Sequence, residues 1–421
     1  MGAETPPLMV NGRGLPPDAV VEFARNGGTA VLDPAAVARM QRSADIVTEL
    51  ANSTVPAYGV STGFGSLANT VIPPERRAEL QRAIVRSHAA GTGDPIEVEV
   101  VRAMMLLRAR TLAMGYSGIR PQVVEVMLDL LNAGITPVVP EYGSLGASGD
   151  LAPLSACALV LIGEGAATTS DGQRIDGATA MAAIGRQPLE LTAKEGLALL
   201  NGTDGMLGML LLALHDLRDL LRTADVVAAL SVEGQLGTDR PFAADLQELR
   251  PQVGQTISAA NLMALLAGSE IVASHREGDD RVQDAYSLRC TPQVHGSVRD
   301  IIAFAGQVAA IELDSAIDNP MILPDGRVES CGNFHGAPLA HAADYLAIAI
   351  ADLGALSERR TDRMLDRTRS HGLPPFLTPD AGVNSGLMIA HYTQAALTAE
   401  NRRLAGPASV DTIPTSALQE D

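Results

Sequence analysis

The run Gly143-Ser144-Leu145-Gly146-Ala147-Ser148-Gly149-Asp150 is the stretch of this chain with the most chemical promise. Ala147, Ser148 and Gly149 carry almost no side-chain bulk, and they stand just ahead of an apolar segment, Leu151 to Ile162, that reads as a helix. Without a Cβ on Gly149, its backbone nitrogen can approach a nearby carbonyl carbon. Attack of that nitrogen on the Ala147 carbonyl, with loss of two waters, one of them from the Ser148 side chain, turns the backbone into a conjugated methylidene-imidazolone ring. No ordinary side chain is an electrophile. Chemistry of this kind supplies one without a bound cofactor.

Blander readings compete at each position. A serine nucleophile on a G-x-S-x-G elbow fails by one residue, because Asp150 stands where the last glycine belongs. Ser148 or Asp150 as an ordinary N-cap of the Leu151 helix is the structural alternative. Gly63-Phe64-Gly65 imitates a dinucleotide fingerprint but has Ala68 at the third glycine and no βαβ pattern around it. Tyr58 reads as a half-buried packing residue, or as a base whose pKa of roughly 10 must be lowered by positive potential. Arg289 is either a surface ion-pair partner or a bidentate clamp for a carboxylate. His88 can simply close a helix, where its charge suits the dipole. The eight histidines are scattered, which gives a metal site little support.

The elements that must position these groups are mainly helical. Helical periodicity predicts Pro34–Leu50, with Asp33 as N-cap, then Pro74–Ala90, Glu97–Ala113, Pro121–Asn132 and Asp150–Ile162. One long helix is expected over Lys194–Leu230, followed by Thr256–Ala267, Val294–Leu313, Pro338–Leu365 and Ser385–Leu404. Strand-like pieces are confined to Pro137–Pro140 and Met321–Val328. Helices of this length with apolar stripes indicate a mainly α, long-helix bundle rather than a compact α/β domain. At 421 residues, two domains are expected, with a boundary near residue 200: a loop-rich part over 1–200, then the bundle over 201–421. Polar loops at 58–69, 140–150, 279–290, 329–336 and 409–421 are where chemistry should sit.

Composition narrows the partners. A balance of 31 basic against 49 acidic residues, net −18, disfavours nucleic acid, whose phosphates need a basic surface. Three widely spaced cysteines make no disulfide framework and suit a reducing compartment. The longest apolar run, Met206 to Leu214, is too short to span a bilayer. Glu4 and the early prolines give no apolar leader, and Pro6 stands where a myristoylation signal wants Ser or Thr. The expectation is a soluble, cytoplasmic protein with no membrane partner.

Six segments, in this order, resemble one family. They are Tyr58-Gly-Val-Ser-Thr-Gly-Phe-Gly65, Gly146-Ala-Ser-Gly-Asp-Leu-Ala-Pro-Leu154, Leu200-Asn-Gly-Thr203, Val282-Gln-Asp-Ala-Tyr-Ser-Leu-Arg-Cys290, Gly332-Asn-Phe-His-Gly336 and Gln419-Glu-Asp421. Together they are similar to the aromatic amino acid ammonia-lyases, which carry the methylidene-imidazolone (MIO) group. The resemblance runs from about residue 9 to the end. Ser87-His88 and Glu420 look like the histidine-acting branch, where phenylalanine and tyrosine lyases usually have Phe-Leu or His-Leu at the first pair. An imidazole offers one donor and one acceptor when neutral and two donors when charged, whereas a benzyl group would leave a buried Glu420 unpaired.

The resemblance implies a fumarase/aspartase-like helical bundle, a homotetramer with sites shared among subunits, and deamination of histidine to urocanate and ammonia. It implies that Ala147, Ser148 and Gly149 form the MIO group and that Tyr58 removes the β-proton. Asn201, Gln283 and Tyr286 would line the electrophile and the substrate amine. Arg289 would hold the carboxylate, Phe334 would wall the pocket, and His88 with Glu420 would hold the imidazole. A tyrosine or phenylalanine lyase, an MIO aminomutase, or an inactive helical scaffold are the alternatives. Ala285 replaces the Pro usual in the family, and Leu418 replaces the Asn usual before Gln-Glu-Asp. Family members continue through further helices beyond the position of Asp421, so the layout expected here is shortened at its C-terminus.

Overall fold

Helix boundaries follow the local start signals. In the helix Pro34–Ala51, Asp33 accepts a hydrogen bond from the Ala35 backbone N–H at 2.7 Å and Pro34 takes the first position. Pro121 likewise opens Pro121–Asn132. The computed structural model describes residues 6–53, 56–411 and 413–421; residues 1–5, on which part of the reading of the N-terminus rests, lie outside them. Within the described residues the fold is mainly α, with helices at Arg77–His88, Val98–Ala113, Leu151–Leu161, Val253–Leu266, Thr291–Leu313, Ala337–Leu365 and Met388–Leu404.

The one long helix expected over 194–230 is broken. It divides into Glu195–Leu200 and Asp204–Gly234, with Asn201 at φ −82°, ψ 87°. Packing explains the break. A Cβ on Gly202 would stand 2.5 Å from Arg108 Nη1 and 2.6 Å from Asp204 Oδ2, so the chain passes a buried ion pair where only glycine fits. Short helices at Gly177–Ala183, Ala244–Glu248, Glu270–Ser274 and Tyr286–Arg289 span too few residues to show a helical period.

The chain divides into two units, one of residues 1–213, 308–340 and 411–421, the other of 214–307 and 341–410. In the first, Val98–Ala113 is the central helix, buried along nearly its whole length by Met104, Met105, Leu106, Leu107 and Leu112. Its small sheets are short. Thr92–Pro95 pairs antiparallel with Pro140–Tyr142, and this second strand delivers the chain into the 143–149 loop, which Leu151–Leu161 then anchors on its far side. The second unit packs Ala228, Val232, Phe242, Leu262, Leu266 and Leu288 into its own core.

Among the described residues, two helical stretches, Glu195–Gly234 and Ala337–Leu365, are long and apolar enough to cross a membrane by length and composition alone, a signal the short Met206–Leu214 run does not convey. Most of the first is buried within the protein, as in a core helix.

Candidate active site

The Ala147-Ser148-Gly149 loop is held from three sides. Gly336 donates its backbone N–H to the Ala147 carbonyl at 2.7 Å. The Ser148 hydroxyl donates to Asn201 Oδ1 at 3.0 Å, and the Ser144 hydroxyl donates to the Gly149 carbonyl. Ser148 and Asn201 are both buried. A Cβ on Gly149 would meet Met206 Sδ at 2.8 Å, so the nitrogen of this residue lies in a space shaped for glycine. Gly146, at φ 71°, supplies the left-handed turn that leads into the loop.

Neither Ser148 nor Asp150 caps the helix that follows, contrary to the N-cap reading. Ser148 is turned to Asn201. Asp150 instead accepts the backbone N–H groups of Gly205, at 2.6 Å, and Met206, at 3.3 Å, at the N-terminus of Asp204–Gly234, where a negative charge is favoured. Burial, reinforced by Asp204, nevertheless pushes the Asp150 carboxyl up to about 7, against the two N–H groups and Arg108. Behind it, Arg108 Nη1 pairs with Asp204 at 3.0 Å, and Thr111 donates to the same carboxylate at 2.7 Å.

Asn201 is itself held. Its Nδ2 donates to the Asn319 carbonyl at 3.1 Å and to Asp318 Oδ1 at 3.4 Å, while Asp318 Oδ2 accepts from Lys194 Nζ at 2.6 Å. Asp150, Lys194, Asp318 and Gly336 therefore neighbour the candidate site, and the sequence reading assigned them no part in it. Asp318 lies 124 residues from Lys194 in the chain, and no local pattern links them.

A second corner of this unit joins Tyr58 and Glu420, which is exposed in this chain and not buried as the sequence reading expects. The half-buried Tyr58 ring stands edge-on to Phe64, centroids 6.0 Å apart, and its hydroxyl accepts from the Gly65 N–H at 3.4 Å. Residues 415–420 form a tight turn in which Thr415 and Glu420 bond through their backbones and Thr415 Oγ1 donates to Glu420 Oε2 at 2.7 Å. Ser416 Oγ accepts the Ser66 N–H at 3.1 Å, which seats this turn on the loop beside Tyr58. Burial raises the Tyr58 pKa, the Gly65 N–H opposes it, and Glu420 raises it further. This is the reverse of the lowering that the sequence reading asks of a base.

His88 ends the helix Arg77–His88, and its Nδ1 lies 2.9 Å from the Ile84 carbonyl, which can only accept; Nδ1 therefore carries the hydrogen and a neutral ring leaves Nε2 as the acceptor. Phe334 is half-buried, in the same 329–336 loop as Gly336.

In the second unit, Tyr286 is exposed and the Arg289 guanidinium lies over its ring, 4.5 Å from the centroid, while Arg289 Nε donates to the Asp284 carbonyl at 2.9 Å. Gln283, Arg289, Cys290 and Gln293 help line a cavity of about 410 Å³. The Tyr286–Arg289 turn is anchored from below. Arg360 donates to the Ser287 carbonyl at 2.8 Å and to Thr291 Oγ1 at 3.0 Å, and lies 3.2 Å from His295 Nε2. His295 Nδ1 is 2.8 Å from Asp225, which also takes Arg299 at 2.5 Å. An arginine at Nε2 leaves that nitrogen as the acceptor, so the buried imidazole is neutral, and burial lowers its pKa.

Against known proteins, the model of the aromatic amino acid lyases matches residues 15–421. A histidine ammonia-lyase from Streptomyces avermitilis is 59% identical over 414 residues, 98% of this chain and 81% of that one. The histidine ammonia-lyase of Deinococcus radiodurans is 51% identical over 414 residues, covering 98% and 79%. Among solved structures, the Trypanosoma cruzi histidine ammonia-lyase superposes with a TM-score of 0.88 at 40% identity, covering 99% of this chain and 78% of that one. Tyrosine aminomutase from Streptomyces globisporus gives 0.90 at 38% identity, covering 98% and 81%. On the match to the family model and these identities, the chain belongs to the aromatic amino acid lyase family.

Proposed function

We propose that this chain is a histidine ammonia-lyase, a carbon–nitrogen lyase that converts L-histidine to urocanate and ammonia. The observation that carries the reading is the held Ala147-Ser148-Gly149 loop in a chain so similar to histidine ammonia-lyases. The residues suit formation of an MIO group from the backbone. The Ala147 carbonyl is polarised by the Gly336 N–H, Gly149 has no Cβ, and the Ser148 hydroxyl has a fixed partner. Gly149 N bonds to the Ala147 carbonyl carbon; that carbonyl oxygen leaves as one water with the amide hydrogens of Gly149 and Ser148 as a carbon–nitrogen double bond forms to Ser148 N, and the Ser148 hydroxyl, with the Cα hydrogen, leaves as the second. The group so formed supplies an electrophilic carbon for the substrate amine and makes ammonia a better leaving group.

In this reading Tyr58, ionised to its phenolate, takes the β-proton. Asn201, Gln283 and Tyr286 line the electrophile and the amine, and Arg289 clamps the carboxylate. Phe334 walls the ring. Glu420 accepts from one imidazole nitrogen of the substrate and His88 Nε2 accepts from the other, which a charged substrate ring with two donors satisfies and a benzyl side chain cannot. A homotetrameric, cytoplasmic enzyme with no nucleic-acid or membrane partner completes the proposal. Exposed apolar residues on Met388–Leu404 (Ile389, Tyr392, Leu397, Leu404) and on Ala337–Leu365 (Tyr345, Ile348) support subunit contacts.

Incubation with histidine, tyrosine and phenylalanine, with product identification, tests the substrate: urocanate is expected. Cinnamate, coumarate or a β-amino acid would overturn the histidine assignment. Intact mass tests the electrophile, because a chain lighter than its sequence by two waters is expected. A mass equal to the sequence mass leaves a helical scaffold without this chemistry.

A further inference from the structure

We infer that Lys194 and Asp318 are positioning residues for the reaction: as a buried ion pair they set the Asn201 amide so that its oxygen faces Ser148. The inference rests on the reading of Ser148 as precursor of the electrophile. Four buried side chains form a line: Lys194 Nζ to Asp318 Oδ2 at 2.6 Å, Asn201 Nδ2 to Asp318 Oδ1 at 3.4 Å, and Ser148 Oγ to Asn201 Oδ1 at 3.0 Å. An amide can sit in two orientations that differ by exchanging its oxygen and nitrogen. Here the nitrogen end faces two groups that carry no hydrogen, the Asp318 carboxylate and the Asn319 carbonyl, the latter at 3.1 Å. Rotating the amide would set oxygen against oxygen on that side and turn the NH₂ to the Ser148 hydroxyl. The Asp318 carboxylate fixes the polarity of the contact with Ser148 together with the Asn319 carbonyl, whose residue it also holds through the Asn319 N–H.

Two features mark the pair as built for more than stability. Lys194 and Asp318 are almost fully buried, 0% and 1% exposed, and a buried ion pair is weak support for a fold. Lys194 also holds φ 67°, a left-handed conformation a side chain adopts at a penalty, and such strain gathers at functional sites. The left-handed residue starts Glu195–Leu200, whose end presents Asn201. Asp318 is aligned in turn by the Asn319 N–H, which donates to Oδ1 at 2.7 Å.

The test compares the parent with two double variants that remove the charge together. Lys194→Met/Asp318→Leu removes the acceptor facing Asn201. Lys194→Met/Asp318→Asn keeps an oxygen there, oriented by the Asn319 N–H. Each is measured by thermal melt, by intact mass for the loss of two waters, and by urocanate formation. Expected are folded proteins, a fall of at least tenfold in ring-bearing mass fraction or turnover for the Leu variant, and recovery to within about threefold of the parent for the Asn variant. A Leu variant that matches the parent in both readouts overturns the inference, since a purely structural pair would allow it. Lys194→Met/Asp318→Ala, with the same expected loss, takes its place if the Leu variant does not fold. A parent that has lost no water overturns the electrophile reading, and this inference with it.

Discussion

Gly336 and Ala147 are joined by a 2.7 Å hydrogen bond from the N–H of one to the carbonyl of the other. Nearly two hundred residues apart in the chain, they bring the 329–336 loop against the loop that carries Ser148. A donor on that oxygen draws electron density from the carbon that Gly149 N must attack. A side chain on the donor residue would make its neighbours shift. A Cβ on Gly336 would meet Met206 Sδ at 2.8 Å, the same sulfur that limits Gly149.

Ser148→Ala should remove ring formation and turnover while the helices stay folded. The lost hydroxyl bond to Asn201 is worth about 1 kcal/mol of stability. Loss of the electrophile should slow turnover by at least roughly a thousandfold, about 4 kcal/mol of barrier. Gly149→Ala should lose the ring too, because a Cβ crowds the nitrogen that must reach the Ala147 carbonyl, while the fold survives because the atom it meets most closely, at 2.8 Å, is on the flexible Met206 side chain. Mass spectrometry and a urocanate assay check both, and a variant at position 148 that still turns over would refute the electrophile.

Glu420→Gln should lower the pKa of Tyr58. The carboxylate contributes to the raised value, so its removal lets the phenol ionise at lower pH. Ultraviolet titration of tyrosinate, with Tyr58→Phe as the subtracted control, reports the shift. The same substitution should weaken histidine binding, seen as a higher KM.

Asp150→Asn should stabilise the protein at high pH only. The folded chain holds the Asp150 proton more tightly than the unfolded chain, so stability falls as pH rises from about 4 to about 7, and the full penalty stands above 7. A carboxyl moved from 3.8 to about 7 is worth on the order of 4 kcal/mol. An asparagine can still accept from Gly205 and Met206 without the buried charge. Urea melts of both proteins across this range should show curves that meet near pH 4 and separate above it.

Leu418→Asn should tighten the 415–420 turn. Ser416, Ala417 and Leu418 all adopt positive φ, 50°, 53° and 67°. Asparagine tolerates this region and leucine does not, a difference of about 1 kcal/mol. Amide exchange at Thr415 and Glu420 should slow by roughly fivefold.

Arg360→Met should loosen the Tyr286–Arg289 turn by leaving the Ser287 carbonyl and Thr291 without their buried donor, a loss of roughly 1–3 kcal/mol. The expected signature is a higher KM for histidine with the loss of two waters intact. An unchanged KM would separate this network from the carboxylate clamp.

Much of the scaffold was legible because long amphipathic helices announce themselves by period and by caps. Pro121–Asn132 matches its predicted limits, and Val98–Ala113 differs from its prediction by one residue. The break at 201–203 was not legible, because Arg108 and Asp204, which force a glycine there, meet only in the folded chain. The site divides along the same line. Ser148 and Asn201 sat in motifs and were readable. Lys194 and Asp318 are ordinary charged residues in the sequence and gain meaning only by burial. Nothing about Asp150 foretold that it would serve Asp204–Gly234, three helices further on, rather than its own.

That interruption at Asn201 also makes spacing as consequential as identity. Each residue in Glu195–Leu200 turns the chain by about 100°, so adding or deleting one would swing the Asn201 amide off the Ser148 hydroxyl without altering any side chain in the site. Length variation among natural relatives should therefore be excluded from this hexapeptide and tolerated in surface turns such as that at 169–173, which joins two short strands away from the site.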